Sequence, residues 1–197
     1  MKLDLSNVTL VCYENKNWED AISLISGMLK LAKFGGVLWR NWYRDYSEYT
    51  YAESHETAKF VHTSHFLIVR LDGYILDPEC WDPSWLEYDY IGAPWQAHSS
   101  PLAVGDGGFS LRSCRLYDRI AQLPSVLQLP PDRMVCCYYR SQLEAEGFRW
   151  APVEVAAQFS VEYPVSYTPE RTFGFYGTHS GRPIWSATRV QNPLIAG

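Results

Sequence analysis

Residues 66–112 read FLIVRLDGYILDPECWDPSWLEYDYIGAPWQAHSSPLAVGDGGFSLR. The unbroken apolar run Phe66-Leu67-Ile68-Val69 predicts a strand buried on both faces. Arg70 follows, then an isolated acid at a turn, Asp72-Gly73. A second turn, Gly105-Asp106-Gly107-Gly108, leads into Phe109-Ser110-Leu111, a short strand, and then into a helix that Ser113 caps, with Leu116, Ile120 and Leu123 on one face. Both acids fall at strand ends, where α/β sheets meet their ligands.

Upstream, Val8–Tyr13 reads as a first strand and Asn17 as the N-cap of a helix carrying Ala21, Ile22, Leu24, Ile25, Met28, Leu29 and Ala32 at helical spacing. Gly35-Gly36 is expected to end that helix and start a strand at Val37-Leu38-Trp39. A strand–helix–strand unit of this kind builds a mostly parallel sheet. The turn after the first strand has no glycine-rich phosphate loop, so neither a P-loop nor a dinucleotide fingerprint is present. Residues 39–51, WRNWYRDYSEYTY, read either as a loop packed by its own rings or as a stacking surface for a sugar or base, and 53–61 as a short helix.

Downstream, residues 124–131 form a proline-bounded connection, and Asp132 precedes a helical pattern of Met134, Val135, Tyr138, Tyr139 and Leu143 that Gly147 closes. Residues 148–152 are expected to be a further strand, or an edge strand because of Pro152, and 178–197 an irregular C-terminal segment.

With 197 residues, 47% of them hydrophobic, the chain is long enough for one domain spanning residues 1–197 with a real core. A net charge of −5 offers no global support for nucleic-acid binding. The five cysteines have no C-x-x-C spacing, which points to a reducing compartment rather than a zinc site or disulfide framework. The N-terminus does not resemble a signal peptide and no run approaches a membrane span, so the expected location is cytoplasmic.

Three carboxylates are candidates for chemistry. Asp72 fits an Asx-turn, and equally a lone ligand to Mg²⁺ or Mn²⁺ beside diphosphate oxygens. Asp106 sits either in a plain tight turn or where glycine backbone approaches a bulky polar ligand. Asp132 reads as an N-cap or as a base that takes the proton of an attacking hydroxyl. His62, His65 and His179 form no metal-ligand spacing by themselves. Ser110 lacks a nucleophile-elbow context, so an esterase triad has no support.

The segments LIVRLDGYIL, YDYIGAPW, GDGGFSLRS, APVEVAAQFSVE and FGFYG, in that order, resemble a family of glycosyltransferase-like domains of largely unassigned function. The resemblance runs from Thr9 to Gly177. It implies a compact single-domain GT-A-like (Rossmann-like) α/β fold, a nucleotide-sugar donor such as a UDP-sugar, and transfer to a hydroxyl acceptor. That acceptor would be a glycan, or a hydroxymethylated pyrimidine in DNA as in virus-encoded base-modifying enzymes, in which case the location is the host cytoplasm. A stacking role in acceptor binding then falls to Trp39, Trp42 and Tyr43.

By the same resemblance Asp72 matches the acid that holds metal and diphosphate, and Asp132 the expected catalytic base. Gly107, Gly108 and Phe109 match the segment that lines a sugar, while Val11, Cys12 and Tyr13 would lie near the nucleotide base. Four positions depart from the family pattern. Arg70 replaces a Gln, Asp106 an Asn, Pro131 a Glu, and Tyr176 a His that completes a metal site in some GT-A enzymes; Arg70 and Asp106 are still expected among the donor-binding residues. A divalent cofactor, Mn²⁺ or Mg²⁺, would be held by Asp72 if His179 substitutes for that His; the alternative is a metal-independent mechanism. The altered Pro131 and Tyr176 also fit an alternative, a non-catalytic nucleotide-sugar or glycan-binding module.

Overall fold

The structure, a computed structural model, describes residues 2–95, 102–162, 169–179 and 182–183. Strand β1 (Leu3–Tyr13) leads into helix α1 (Trp18–Leu31), which runs directly into β2 (Ala32–Arg40). Helix α2 (Tyr46–Tyr51) continues through a π turn at 52–56 and a 3₁₀ turn at 57–60 into β3 (His65–Val69). Strand β4 (Gly73–Ile75), two 3₁₀ turns, β5 (Tyr90–Gly92) and β6 (Phe109–Ser113) follow. Helices α3 (Cys114–Ile120), α4 (Pro131–Arg133, extended by a π turn to Tyr138) and α5 (Arg140–Ala145) come next. Helix α6 (Val153–Phe159), β7 (Ser160–Val161) and β8 (Gly174–Tyr176) complete the main body. Strands β9 (Thr178–His179) and β10 (Arg182–Pro183) pair antiparallel, so the C-terminal segment is regular at those four residues.

The central sheet has the order β2-β1-β3-β6-β5. It is mixed, not mostly parallel: β1 pairs parallel with β2 and β3, whereas β6 runs antiparallel to both β3 and β5. The cause lies in the connections. Parallel neighbours need a crossover, usually a helix, and α1 and the α2 segment supply two. Between β5 and β6 the chain instead doubles back through a loop that an antiparallel bridge, Pro94–Val104, holds closed. A smaller sheet, β4-β8-β7, stands beside the main one.

Helices cover both faces of the main sheet. Along β3, Leu67 and Val69 join the core under α1 and α6, while Phe66 and Ile68 join the core under α3 and the α4–α5 segment. All five β3 residues are buried, as the unbroken apolar run predicts. One core is dominated by aromatic contacts among Trp85, Phe109, Phe159 and Phe173.

Several local expectations change. Gly35 and Gly36 do not end α1; they lie inside β2. A Cβ at Gly35 would fall 2.2 Å from the Ser6 carbonyl oxygen, so glycine here permits close strand approach where the β1–β2 register shifts. Asn17 occupies the N-cap but its side chain makes no cap bond; the Glu14 carboxylate accepts from the Lys16 and Asn17 N–H groups instead. Half of the aromatic stretch 39–51 is helix α2, capped by Asp45, which accepts from Glu48 N at 2.9 Å. Residues 148–152 form no strand beyond a bridge from Trp150 to Tyr90, and α6 follows them. Ser113 caps α3 as expected, its Oγ accepting from Leu116 N.

Candidate functional site

A crevice of about 690 Å³ opens at the C-terminal ends of β1 and β3, where an open α/β sheet binds ligands. Its walls come from three segments. Residues 13–17 follow β1, residues 43–49 enter α2, and Arg70, Leu71 and Asp72 follow β3, with Tyr176 closing the floor.

The floor is fixed by short-range bonds. Arg70 N donates to Gly108 O at 3.0 Å, and Gly73 N to Arg70 O at 2.9 Å, which makes 70–73 a tight turn. Strand β4 then pairs with β8, and Gly177 N donates to Asp72 O at 3.0 Å. This pairing brings Tyr176 over the second turn: a Cβ at Gly108 would lie 2.1 Å from the Tyr176 ring. The glycine in GDGG is thus required by the tyrosine packed on it.

Behind the floor runs a buried polar network. Arg112, fully buried, donates to Glu53 Oε1 at 2.9 Å, to Ser110 Oγ at 2.9 Å and to Gly107 O at 3.0 Å. Glu53 also accepts from the Tyr49 hydroxyl and lies 3.7 Å from Arg70. The Tyr49 hydroxyl in turn receives a hydrogen bond from Arg70. The network therefore connects the crevice wall to the backbone of the 105–108 turn, which Tyr90 also grips through the carbonyls of Gly105 and Asp106.

Four carboxylates share this region, and each is held above its usual range. Burial raises Asp72. Burial, with Glu162 and Asp132 adding, holds Asp106 well above the carboxylate range. Burial and then the Glu53 charge raise Asp132, and burial and then Asp132 raise Glu162. Like charges in a low-dielectric setting resist simultaneous ionisation. Asp106 is almost wholly buried; its Oδ1 accepts from Gly108 N at 3.4 Å, and among the described residues its Oδ2 has no partner. Asp132 is not the N-cap, which is Pro130; its Oδ1 accepts from Arg133 N at 2.8 Å, within the first turn.

The structure brings Tyr13, Tyr43, Arg70 and Asp72 to the crevice. Asp106, Gly107, Gly108 and Asp132 are not among its lining residues; Gly108 lies against the Tyr176 ring and Gly107 against Asp132. Val11, Cys12 and Phe109 are fully buried in the core, so their side chains cannot line the crevice. Trp39 buttresses the wall by donating to Glu14 O at 3.1 Å, and Trp42 stands outside it, 68% exposed. His65 is buried and satisfied by Ser64 and Tyr88. The side chain of His179 lies outside the described residues. Among the described residues no three His, Cys, Asp or Glu side chains converge to hold a metal. Glu162, Tyr49 and Glu53 escaped the sequence reading. Glu53 was read only as the first residue of a short helix, 53–61, and nothing near it in sequence names its partners.

This is a mixed α/β fold with its crevice at the strand ends. It is similar to that of a solved glycosyltransferase involved in the glycosylation of the major capsid of PBCV-1, with a TM-score of 0.56, 12% identity, and coverage of 86% of this chain and 91% of that one. No curated protein matches the sequence. The chain belongs to the family described as "Protein of unknown function (DUF5672)", which matches residues 40–176. No helix among the described residues is long and apolar enough to cross a membrane.

Proposed function

We propose that this protein is a glycosyltransferase that moves a sugar from a nucleotide-sugar donor to a hydroxyl group. The observation that carries the reading is the crevice at the ends of β1 and β3, lined by Arg70 and Asp72, in a fold shared with a glycosyltransferase. In this reading the nucleotide lies along Tyr13 and residues 14–17, and its diphosphate faces Arg70 and Asp72. Asp132 is the general base. A raised carboxyl accepts a hydroxyl proton more readily at neutral pH than an ordinary aspartate, and Arg70 and Arg112 stabilise the carboxylate before the proton arrives. Tyr43 and Tyr46 at the mouth, and Trp42 beside them, offer ring faces to the acceptor. Both acceptor classes considered from sequence, a glycan and a hydroxymethylated pyrimidine in DNA, present a ring and a free hydroxyl.

The test is transfer from a panel of UDP- and GDP-sugars, followed by nucleotide release, with glycans, hydroxymethylated DNA and plain DNA as acceptors. Turnover with one donor is expected, and Asp132→Asn is expected to lower it by about 10²-fold or more. Unchanged turnover in Asp132→Asn removes Asp132 as base. Binding of a donor without turnover on any acceptor favours a binding module instead. Trp42→Ala is expected to weaken acceptor use while leaving donor hydrolysis intact.

A further inference from the structure

We infer that Arg70 supplies the positive charge facing the donor diphosphate, so that nucleotide binding in this crevice does not depend on a divalent cation. The inference rests on the donor reading above and goes further, because it assigns the counter-charge to a side chain.

Arg112 and Arg70 are two guanidiniums that share one carboxylate, Glu53. Arg112 is sealed off, with 0% of its side chain exposed, and it stands closer to Glu53, at 2.9 Å against 3.7 Å. Of the two, Arg70 is therefore the guanidinium held less closely by Glu53, and its side chain is 36% exposed and lines the crevice. Its guanidinium lies 5.4 Å from the Tyr49 ring centroid and bonds to the Tyr49 hydroxyl, so its position is set before any ligand arrives.

The other charges of the crevice support this. Glu14 spends its carboxylate on the backbone N–H groups of Lys16 and Asn17, and Asp45 on that of Glu48. Arg44 is drawn to Glu48 at 3.2 Å. Asp72 remains, and its neighbour in the turn is the Arg70 cation, which acts on its charge. A dication bound at Asp72 would sit against a fixed guanidinium, with no second carboxylate or histidine among the described lining residues positioned to complete its shell. A diphosphate meets the opposite situation: a planar, two-pronged donor suited to phosphate oxygens, with exposed Lys16 at the rim.

Titration calorimetry of the full chain with UDP and with GDP tests this, in excess EDTA and in Mn²⁺. The expected result is equal affinity in the two buffers. Arg70→Gln is expected to lose about tenfold or more in EDTA, the size of one charge-assisted hydrogen-bonded contact. Affinity that appears only with Mn²⁺, or Arg70→Gln binding as tightly as the unaltered chain, overturns the inference and leaves the donor reading standing. No binding of either nucleotide in either buffer overturns both. Arg70→Gln also removes a partner of Glu53, so the unaltered chain is titrated against salt in EDTA as well. A steep loss of affinity with salt supports a side-chain counter-charge, and an affinity flat with salt overturns it.

Discussion

Gly107 lies directly against Asp132: a Cβ built at position 107 falls 2.8 Å from Asp132 Cβ and 3.2 Å from its Cγ. The absent side chain of one residue therefore sets the position of the other's carboxylate. Gly107→Ala is expected to push Asp132 aside at a cost in stability of about 1–3 kcal/mol. The effect on turnover should be larger, about 10²-fold, because a displacement near 1 Å at a reacting group is enough for that. Comparing kcat with the urea midpoint checks the split. Equal, small losses in both would mean that Asp132 is not positioned by this contact.

Removing Glu53 leaves the wholly buried Arg112 without its carboxylate. Glu53→Gln is expected to cost about 3–5 kcal/mol in denaturant unfolding. Replacing both members with apolar residues of similar volume should restore most of that stability. Transfer should not return in the double variant, because Arg112 also holds the Gly107 carbonyl at 3.0 Å. Recovery of activity would detach this network from the site.

Asp106 makes stability fall as pH rises. Its folded-state carboxyl is held well above the ordinary value, mainly by burial, so the folded state binds the proton more tightly than the unfolded chain. The contribution is full below the unfolded value near 3.8 and is lost as pH climbs through the raised folded value. Asp72, Asp132 and Glu162 act in the same direction. Exposed Glu146, lowered to about 2 chiefly by its hydrogen bond from Arg119, acts in the opposite sense and only at more acid pH. Asp106→Asn should stabilise the protein at neutral pH by about 1–3 kcal/mol, the scale of one unsatisfied buried group. The gain should vanish near pH 4, which thermal unfolding across pH can follow. A gain that is the same at all pH values would contradict the assignment.

Gly35→Ala tests the course of β2. A Cβ there meets backbone, the Ser6 oxygen at 2.2 Å, which cannot rotate away. The expected cost is about 2–3 kcal/mol or failure to fold. At Gly147, φ is +88° and no atom of the described residues lies within 4 Å of an added Cβ, so alanine should cost only the left-handed strain of about 1–2 kcal/mol. Chemical denaturation of the two variants ranks them; the reverse order would place Gly35 outside the sheet.

Much of the architecture is written in neighbouring residues. The apolar run of β3, the helical spacing of α1 and the Ser113 cap can be read locally, because burial on both faces, a 3.6-residue period and a cap bond each involve residues a few positions apart. Arg70 and Asp72 were likewise legible as a charged turn closing a buried strand. Where local reading failed, a distant partner decided. The Gly35-Gly36 pair looks like a helix stop until Ser6 is seen beside it, and the tyrosine-rich 46–51 segment looks like a loop until its rings find Tyr13 and Tyr43.

The sequence alone determined which residues carry charge, the buried run of β3 and the helical spacing of α1. Only the tertiary structure decided that β6 runs against β3, that Glu53 balances Arg112, and that positions 72, 106, 132 and 162 feel one another's charge. The reason is physical. Strand direction depends on how connections pack, and electrostatic coupling depends on distance through space, which the β4-β8-β7 sheet shortens for residues that lie far apart along the chain.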